Sequence, residues 1–527
     1  MKRLKNKFLW YKKLMIRGGD MNIKWSKLQN GTDIRGVALE GVKDEKVNLT
    51  EEVVEMIGNA YAIWLSKKID KDVNDLKFAV GNDSRLSADS LKNALIKGLN
   101  ANGSKVYDCG LASTPAMFMT TVVEGYMCDA SIMITASHLP YNRNGLKFFT
   151  KDGGLEHDDI QDILNIAEKS EYSFNQKEVQ VKEIDFMSVY SDIFVKKIRK
   201  EVNAKDNFNK PLKGFKIIVD AGNGAGGFFV EKVLNQVGAD TNGSQFLEPD
   251  GRFPNHIPNP EKKEAMESIQ KAVINNKADF GIIFDTDVDR AAVVDRYGNV
   301  INRNSFIALI SSIILEEHPH STIVTDSVTS KGLKKFIEED LKGVHHRFKR
   351  GYKNVINEAI RLNHEGTQCE LAIETSGHGA IKENYFLDDG AYLTTKILIK
   401  MARMKLEENK DITELIKTLE IPLHSNEYRI KMKTEDFTEY GEGILADFDK
   451  YVNTKDGWHI VPNNYEGIRV ELDQEHGDGW FLLRLSLHDP VMAINVEYNI
   501  EEKIKPIMDD IRIFLSKYVL LELGTIK

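Results

Sequence analysis

Gly281-Ile-Ile-Phe-Asp-Thr-Asp-Val-Asp-Arg290 joins an apolar run to a row of alternating acids. Gly281–Phe284 has the composition of a short buried strand. In the extended chain that follows, residues two and four apart point to one side, so Asp285, Asp287 and Asp289 converge. Three ionised carboxylates so close repel one another, and a bound cation is the usual remedy. All-oxygen ligands favour Mg²⁺, Ca²⁺ or Mn²⁺ over Zn²⁺. An EF-hand loop fits poorly, because its sixth and twelfth positions fall on Arg290 and Arg296 instead of Gly and Glu.

The same plan recurs along the chain. Lys77–Val80 precedes Gly81-Asn-Asp-Ser-Arg85, Ala130–Ile134 precedes Thr135-Ala-Ser-His138, and Lys216–Val219 precedes Asp220-Ala-Gly-Asn-Gly224. Ser321–Val324 and Leu371–Ile373 likewise run into Thr325-Asp326 and Glu374. Helical patterns such as Ser90–Leu99 and Lys262–Asn275 lie between these runs. Alternation of this kind predicts α/β layers with mixed or parallel sheets. In such folds the polar residues just past each strand build the ligand site. No internal repeat or low-complexity segment is visible by eye.

One of these loops, Thr135-Ala-Ser-His-Leu-Pro-Tyr-Asn-Arg-Asn-Gly-Leu-Lys147, carries a serine between an apolar strand and Pro140. A nucleophilic or phosphoryl-carrying serine needs neighbours that manage its proton and charge, and His138 and Lys147 are placed to do so. Ser, Pro, Asn and Gly are equally the residues of a plain turn.

Composition narrows the class. A chain of 527 residues exceeds one core, so three or four domains are expected. A net charge of −9 argues against a generic nucleic-acid binder. The first twenty residues run the other way, with seven Lys/Arg against Asp20 alone. Charges interrupt their apolar residues, so residues 1–20 read as a disordered basic extension, with Met21 the working start, and not as a signal peptide. No apolar run is long enough for a membrane span. Cys109, Cys128 and Cys369 form no close pair, which suits a reducing, cytoplasmic compartment.

Together the serine and aspartate loops give the chain a resemblance to the α-D-phosphohexomutases, the superfamily of phosphomannomutase/phosphoglucomutase and phosphoglucosamine mutase. The family's T-(A/G)-S-H-N-P loop is matched at Thr135–Pro140 except at Leu139, and its D-x-D-x-D-R loop at Asp285–Arg290. Gly31–Gly36, Gly81–Arg85, Val219–Gly226 and Pro249–Glu261 match further motifs in the right order. The sugar-recognition loop reads Ile373-Glu-Thr-Ser-Gly-His378. Two places depart from the pattern. Arg350 stands where valine is usual before Gly-x-Lys353, and the phosphate loop R-x-S-G-T-E-P reads Arg484-Leu-Ser-Leu-His-Asp-Pro490.

The resemblance implies three similar α/β mixed-sheet domains plus a smaller C-terminal α+β domain around a central cleft. Boundaries are expected at 21–207, 208–303, 304–424 and 425–527. It implies a phosphohexomutase that interconverts hexose 1- and 6-phosphates through phosphoserine at Ser137 and a hexose 1,6-bisphosphate. Mg²⁺ would be held by Asp285, Asp287, Asp289 and the Ser137 phosphate. His138, Lys147 and Arg35 would handle protons and transition-state charge. Arg290, Lys353, Glu374, Ser376 and His378 would meet the substrate, and Arg484, Ser486 and His488 its non-reacting phosphate. The expected partner is a phosphosugar, with no nucleic acid or membrane, for a monomer or homodimer. A phosphomannomutase/phosphoglucomutase is expected, with a phosphoglucosamine mutase as the alternative within the family, and two rival readings use the same residues. Phe284-Asp-Thr-Asp-Val288 and Asp388-Asp389 also fit an aspartyl-phosphate phosphatase, and the altered phosphate loop allows a non-catalytic sugar-phosphate sensor.

Overall fold

Residues 15–17, 23–173, 181–486 and 489–525 are described by a computed structural model. Contacts divide the chain into two compact units, Met1–Ile301 with Leu387–Asn409, and Asn302–Phe386 with Lys410–Lys527.

The first unit holds two mixed sheets. In one, the strands run in the order Val181–Glu183, Lys105–Leu111, Lys77–Asn82, Ala130–Ile134, Arg143–Thr150, Asp33–Val37, Gln29–Asn30. The first four are parallel, and each later neighbour is antiparallel. Ala130–Ile134 is buried at every position, as a central strand covered on both faces must be. The covering helices include Glu51–Lys68, which starts where Thr50 accepts from Val53 N and carries Glu51–Glu52 first and Lys67–Lys68 last. It lies so close to Ala88–Asn100 that a Cβ on Gly98 would stand 1.9 Å from the Glu55 carbonyl oxygen. The second sheet orders Ile217–Asp220, Phe280–Phe284, Ala291–Asp295 and Val300–Ile301, parallel only in its first pair.

The second unit holds Val344–Arg347, Thr322–Thr325 and Cys369–Ile373 in parallel, with Gly379–Ile381 antiparallel beside Cys369–Ile373. It also holds an antiparallel sheet with the strand order Trp458–Ile460, Ile468–Leu472, Gly479–Leu485, Val491–Tyr498, His424–Met432, Leu521–Glu522. Helices Phe437–Val452 and Glu501–Leu515 bury Ile444, Phe448, Ile511 and Phe514 in the core of that sheet.

The fold thus has three α/β mixed sheets and an added C-terminal sheet, as the resemblance implies. The repeat that the eye misses in the sequence is one of topology. In each mixed sheet the last parallel strand turns into an antiparallel return strand. The connecting loops are 135–142, 285–290 and 374–378, the three stretches singled out for chemistry.

Two segments bear on the expected boundaries. By contacts, Leu387–Asn409 groups with the first unit. Asp389 holds it there by accepting from Tyr190 Oη at 2.8 Å and by capping the helix Gly390–Glu408. Of the leader, Met15–Arg17 is a strand paired with Glu171–Ser173 and so is not structureless; the rest of residues 1–20 lies outside the described residues.

Gly98→Ala places a methyl group into backbone that cannot withdraw. It lowers stability by about 1–3 kcal/mol, an overpacking cost, and reduces the midpoint of thermal unfolding. An unchanged midpoint would contradict the close helix approach.

Candidate active site

In the first unit, the loop 285–290 is fixed through its own backbone. Ala225 N donates to Thr286 O at 2.8 Å, Thr114 N to Asp287 O at 2.9 Å, and Gly390 N to Val288 O at 3.1 Å. Two glycines make the approach possible. A Cβ on Gly224 would lie 2.6 Å from Thr286 O, and one on Gly390 2.7 Å from the Arg290 carbonyl carbon. Val288 is held at φ +66°, a left-handed conformation that costs a β-branched residue about 1–3 kcal/mol.

This geometry brings one carboxylate oxygen from each of Asp285, Asp287 and Asp289 within 4.8 Å of the others. All three side chains are buried. Lys147 Nζ lies 3.1 Å from Asp287 and 2.5 Å from Asp289, and Arg290 Nε 3.1 Å from Asp285. Burial works against the Arg290 charge, but Asp285 and Asp289 outweigh it and hold its pKa above the ordinary value. Asp287 Oδ1 is buried without a hydrogen-bond partner among the described residues. A hard divalent cation fits three converging carboxylates with an oxygen left unsatisfied.

Ser137 adopts φ +50° in the neighbouring loop. Its Oγ lies 3.2 Å from Asp285 Oδ2, 3.3 Å from Arg290 Nη2 and 3.3 Å from His138 Nδ1. Arg290 Nη2 also lies 2.8 Å from His138 Nδ1. Because a guanidinium only donates, that nitrogen is the acceptor in this contact. The structure therefore brings Ser137, His138, Lys147, Arg290 and the three aspartates together. Arg35 sits on the strand beside that of Lys147, where it pairs with Asp33 at 2.9 Å.

Nothing in the sequence alone assigns a task to Asp83 and Arg85, which shape the serine loop. Buried Arg85 donates to the carbonyls of Ser137, Leu139, Pro140 and Arg143 at 2.5–2.9 Å and pairs with Asp83 at 3.3 Å. Asp83 accepts from Thr135 Oγ1 at 2.7 Å, and Thr135 Oγ1 accepts from Ser137 N at 2.9 Å. Burial pushes the Asp83 carboxyl up to about 6, against the pull of Arg85. The Gly81–Arg85 match is the visible signal, but a motif does not state its partner. Pro249–Glu261 supports both loops. Phe253 packs its ring on Arg85, while Asn259 and Glu261 lie 3.3 and 3.5 Å from Arg290 Nη1.

In the second unit, Glu374 Oε1 accepts from Gly351 N at 2.6 Å and Oε2 from Ser376 Oγ at 3.2 Å. Thr375 Oγ1 donates to buried Asp326 at 2.6 Å, as Thr135 does to Asp83. Burial raises the pKa of Glu374, and the Asp326 carboxylate adds to the rise. His378 stacks on Tyr352, with ring centroids 5.1 Å apart, and Lys353 opens the helix Tyr352–His364. Arg484 Nε donates to Asn495 Oδ1 at 3.3 Å, and Ser486 N to Val491 O at 2.8 Å. His488 lies outside the described residues.

Family models described as phosphoglucomutase/phosphomannomutase α/β/α domains I, II and III match residues 26–173, 192–298 and 302–420. The chain is 28% identical to a phosphoglucomutase of Neisseria gonorrhoeae over 479 residues, covering 90% of this chain and 94% of the relative. It is 29% identical to a phosphomannomutase/phosphoglucomutase of Pseudomonas putida, covering 86% and 90%. A crystal structure of a phosphoglucomutase/phosphomannomutase family protein from Burkholderia thailandensis superposes with a TM-score of 0.73 at 25% identity, covering 94% and 98%.

The carboxylate cluster predicts binding of one divalent cation, measurable by calorimetry with Mn²⁺. Asp287→Asn should weaken it by at least about 100-fold, more than the loss of an outer hydrogen-bond partner typically costs. Equal affinity in the variant would remove the aspartates from the site.

Proposed function

Since the chain belongs to the phosphoglucomutase/phosphomannomutase family, whose members are phosphohexomutase isomerases, we propose that it interconverts hexose 1-phosphate and hexose 6-phosphate. The carrier is phosphorylated Ser137, and the intermediate is a hexose 1,6-bisphosphate. One observation supports this above the rest: Ser137 Oγ is 3.2 Å from Asp285, one member of the carboxylate cluster, and 3.3 Å from Arg290. A serine in that position can lose a phosphoryl group to an acceptor while cationic groups stabilise the oxygen it leaves behind.

Asp285, Asp287, Asp289 and a phosphoserine oxygen would hold one Mg²⁺, which supplies charge neutralisation at the phosphoryl group. In the first half-reaction the Ser137 Oγ–P bond breaks and a sugar hydroxyl oxygen takes the phosphorus. The hydroxyl proton leaves to a base, and His138, Lys147 and Arg35 are the candidates for proton transfer and for stabilising the transition-state charge. Arg290 donates toward the departing Oγ. In the second half-reaction the other phosphate of the bisphosphate returns to Ser137. Glu374 and Ser376 hold sugar hydroxyls, with Lys353 and His378 as further contacts. Arg484, Ser486 and His488 hold the phosphate that is not reacting. The domains assigned to these loops are 21–207, 208–303, 304–424 and 425–527.

Protein supplied with Mg²⁺ and a hexose 1,6-bisphosphate should turn over glucose and mannose 1-phosphates; turnover of glucosamine 1-phosphate alone would redirect the substrate. Peptide mass spectrometry should find a hydroxylamine-stable phosphate on Ser137, and Ser137→Ala should lose at least about 10³-fold in kcat. A hydroxylamine-labile acyl phosphate on Asp285 would hand the chain to the phosphatase reading. Arg85→Lys, which cannot grip four carbonyls, should lower kcat about 100-fold with KM nearly unchanged, as a misplaced nucleophile does.

A further inference from the structure

The two places where the sequence departs from its family's pattern meet in the second unit. Arg350 precedes the helix Tyr352–His364, and Arg484 stands on the strand Gly479–Leu485. A closed ring of contacts joins them. Arg484 Nε donates to Asn495 Oδ1 at 3.3 Å, and Asn495 Nδ2 donates to Glu427 Oε2 at 3.0 Å. Glu427 Oε2 lies 3.8 Å from Arg350 Nη1. Arg350 N donates to Glu466 Oε2 at 3.0 Å, and Glu466 Oε1 lies 3.7 Å from Arg484 Nη1.

Two guanidinium groups kept this near one another repel, so something must favour the arrangement. Glu427, Glu466 and buried Asp326, whose Oδ2 lies 3.8 Å from Arg350 Nε, do so only in part. Asn495 Nδ2 and Arg429 Nη1 occupy the Glu427 oxygens, and Ser327 Oγ and Arg350 N both go to Glu466 Oε2, while Glu466 Oε1 is buried with no hydrogen-bond partner among the described residues. The carboxylates approach the guanidinium nitrogens at ion-pair distance, beyond hydrogen-bond length. Among the described residues, the two Nη nitrogens of Arg484 make no hydrogen bond. Arg350 keeps 25% of its side-chain surface exposed, so the pair is open on one side.

We propose that Arg350 and Arg484 form a paired-arginine site for a phosphate monoester dianion, with Arg350 supplying a second guanidinium fork where the loop Arg484–Pro490 has His488 in place of the usual threonine hydroxyl. Assigning that phosphate to the hexose substrate rests on the mutase reading above; the anion site itself does not. A guanidinium fork reads phosphate oxygens in pairs, which makes arginine an effective substitute for a hydroxyl donor. The carboxylates act as spacers that hold the two cations in register when no anion is present.

The test uses the full chain with Arg350→Val, which restores the family's residue, and Arg350→Lys, which keeps the charge but not the fork. Inorganic phosphate and glucose 6-phosphate are titrated by calorimetry, and KM and kcat are read for glucose 1-phosphate. Arg350→Val should weaken both affinities and raise KM by at least about tenfold, while kcat stays within about threefold and Arg350→Lys falls between. A folded Arg350→Val that binds both ligands as the parent does, with at most a lowered unfolding midpoint, overturns the proposal and leaves Arg350 a structural tie. Should Arg350→Val not fold, Arg350→Lys decides by the same two affinities. Phosphate binding that depends on Arg350 in a chain that turns over no hexose phosphate would sink the mutase reading and leave the anion site standing.

Discussion

Three consecutive peptide carbonyls, those of Thr286, Asp287 and Val288, are each taken by an N–H from a different part of the chain. Ala225, Thr114 and Gly390 supply them. Everything else at the aspartate loop depends on this constraint. An acid-rich turn left to itself would open, because its carboxylates repel and solvate separately. Here the backbone is held whatever the side chains prefer, and Val288 is kept in a conformation it would not choose. The repulsion is then met by Lys147 and Arg290 within hydrogen-bonding reach, and the oxygen of Asp287 that has no partner marks where a cation is wanted.

The serine loop obeys the same logic with a different device. Its carbonyls converge on one buried guanidinium, Arg85, which is fixed in turn by Asp83. The loop 374–378 uses a third version, with Asp326 gripping Thr375 as Asp83 grips Thr135. In both cases the acid follows a parallel strand adjacent to the one that feeds the loop, Lys77–Asn82 beside Ala130–Ile134 and Thr322–Thr325 beside Cys369–Ile373. Repeated topology thus delivers functional loops of different length and chemistry to equivalent places, and the polar residue past the neighbouring strand steadies each one.

That plan explains what can be read from the sequence. Apolar runs ending in polar residues are local, so the strands, Ser137 and the aspartate triad are legible in the order of the residues themselves. The repeat is not, because the loops at 135–142, 285–290 and 374–378 differ in length, and only Thr135-x-x-His138 and Thr375-x-x-His378 share a short pattern. The clamp from Arg85 to the serine loop spans more than fifty positions, and the one from Gly390 to Val288 about a hundred, so neither leaves a periodic signal. The return of Leu387–Asn409 to the first unit is hidden for the same reason: a buried helix shows that it needs a partner, not which one. Arg350 is visible as a departure, but its meaning comes only from the ring that links it to Arg484.

The central claim is that Ser137 carries the group that is transferred. The most direct measurement starts from protein bearing labelled phosphate on Ser137, mixed with unlabelled glucose 1-phosphate and quenched on the millisecond scale. The account predicts that label leaves Ser137 and appears in hexose 1,6-bisphosphate at a rate no slower than steady-state turnover. Label that stays on Ser137 during turnover, or departs only as inorganic phosphate, would contradict it.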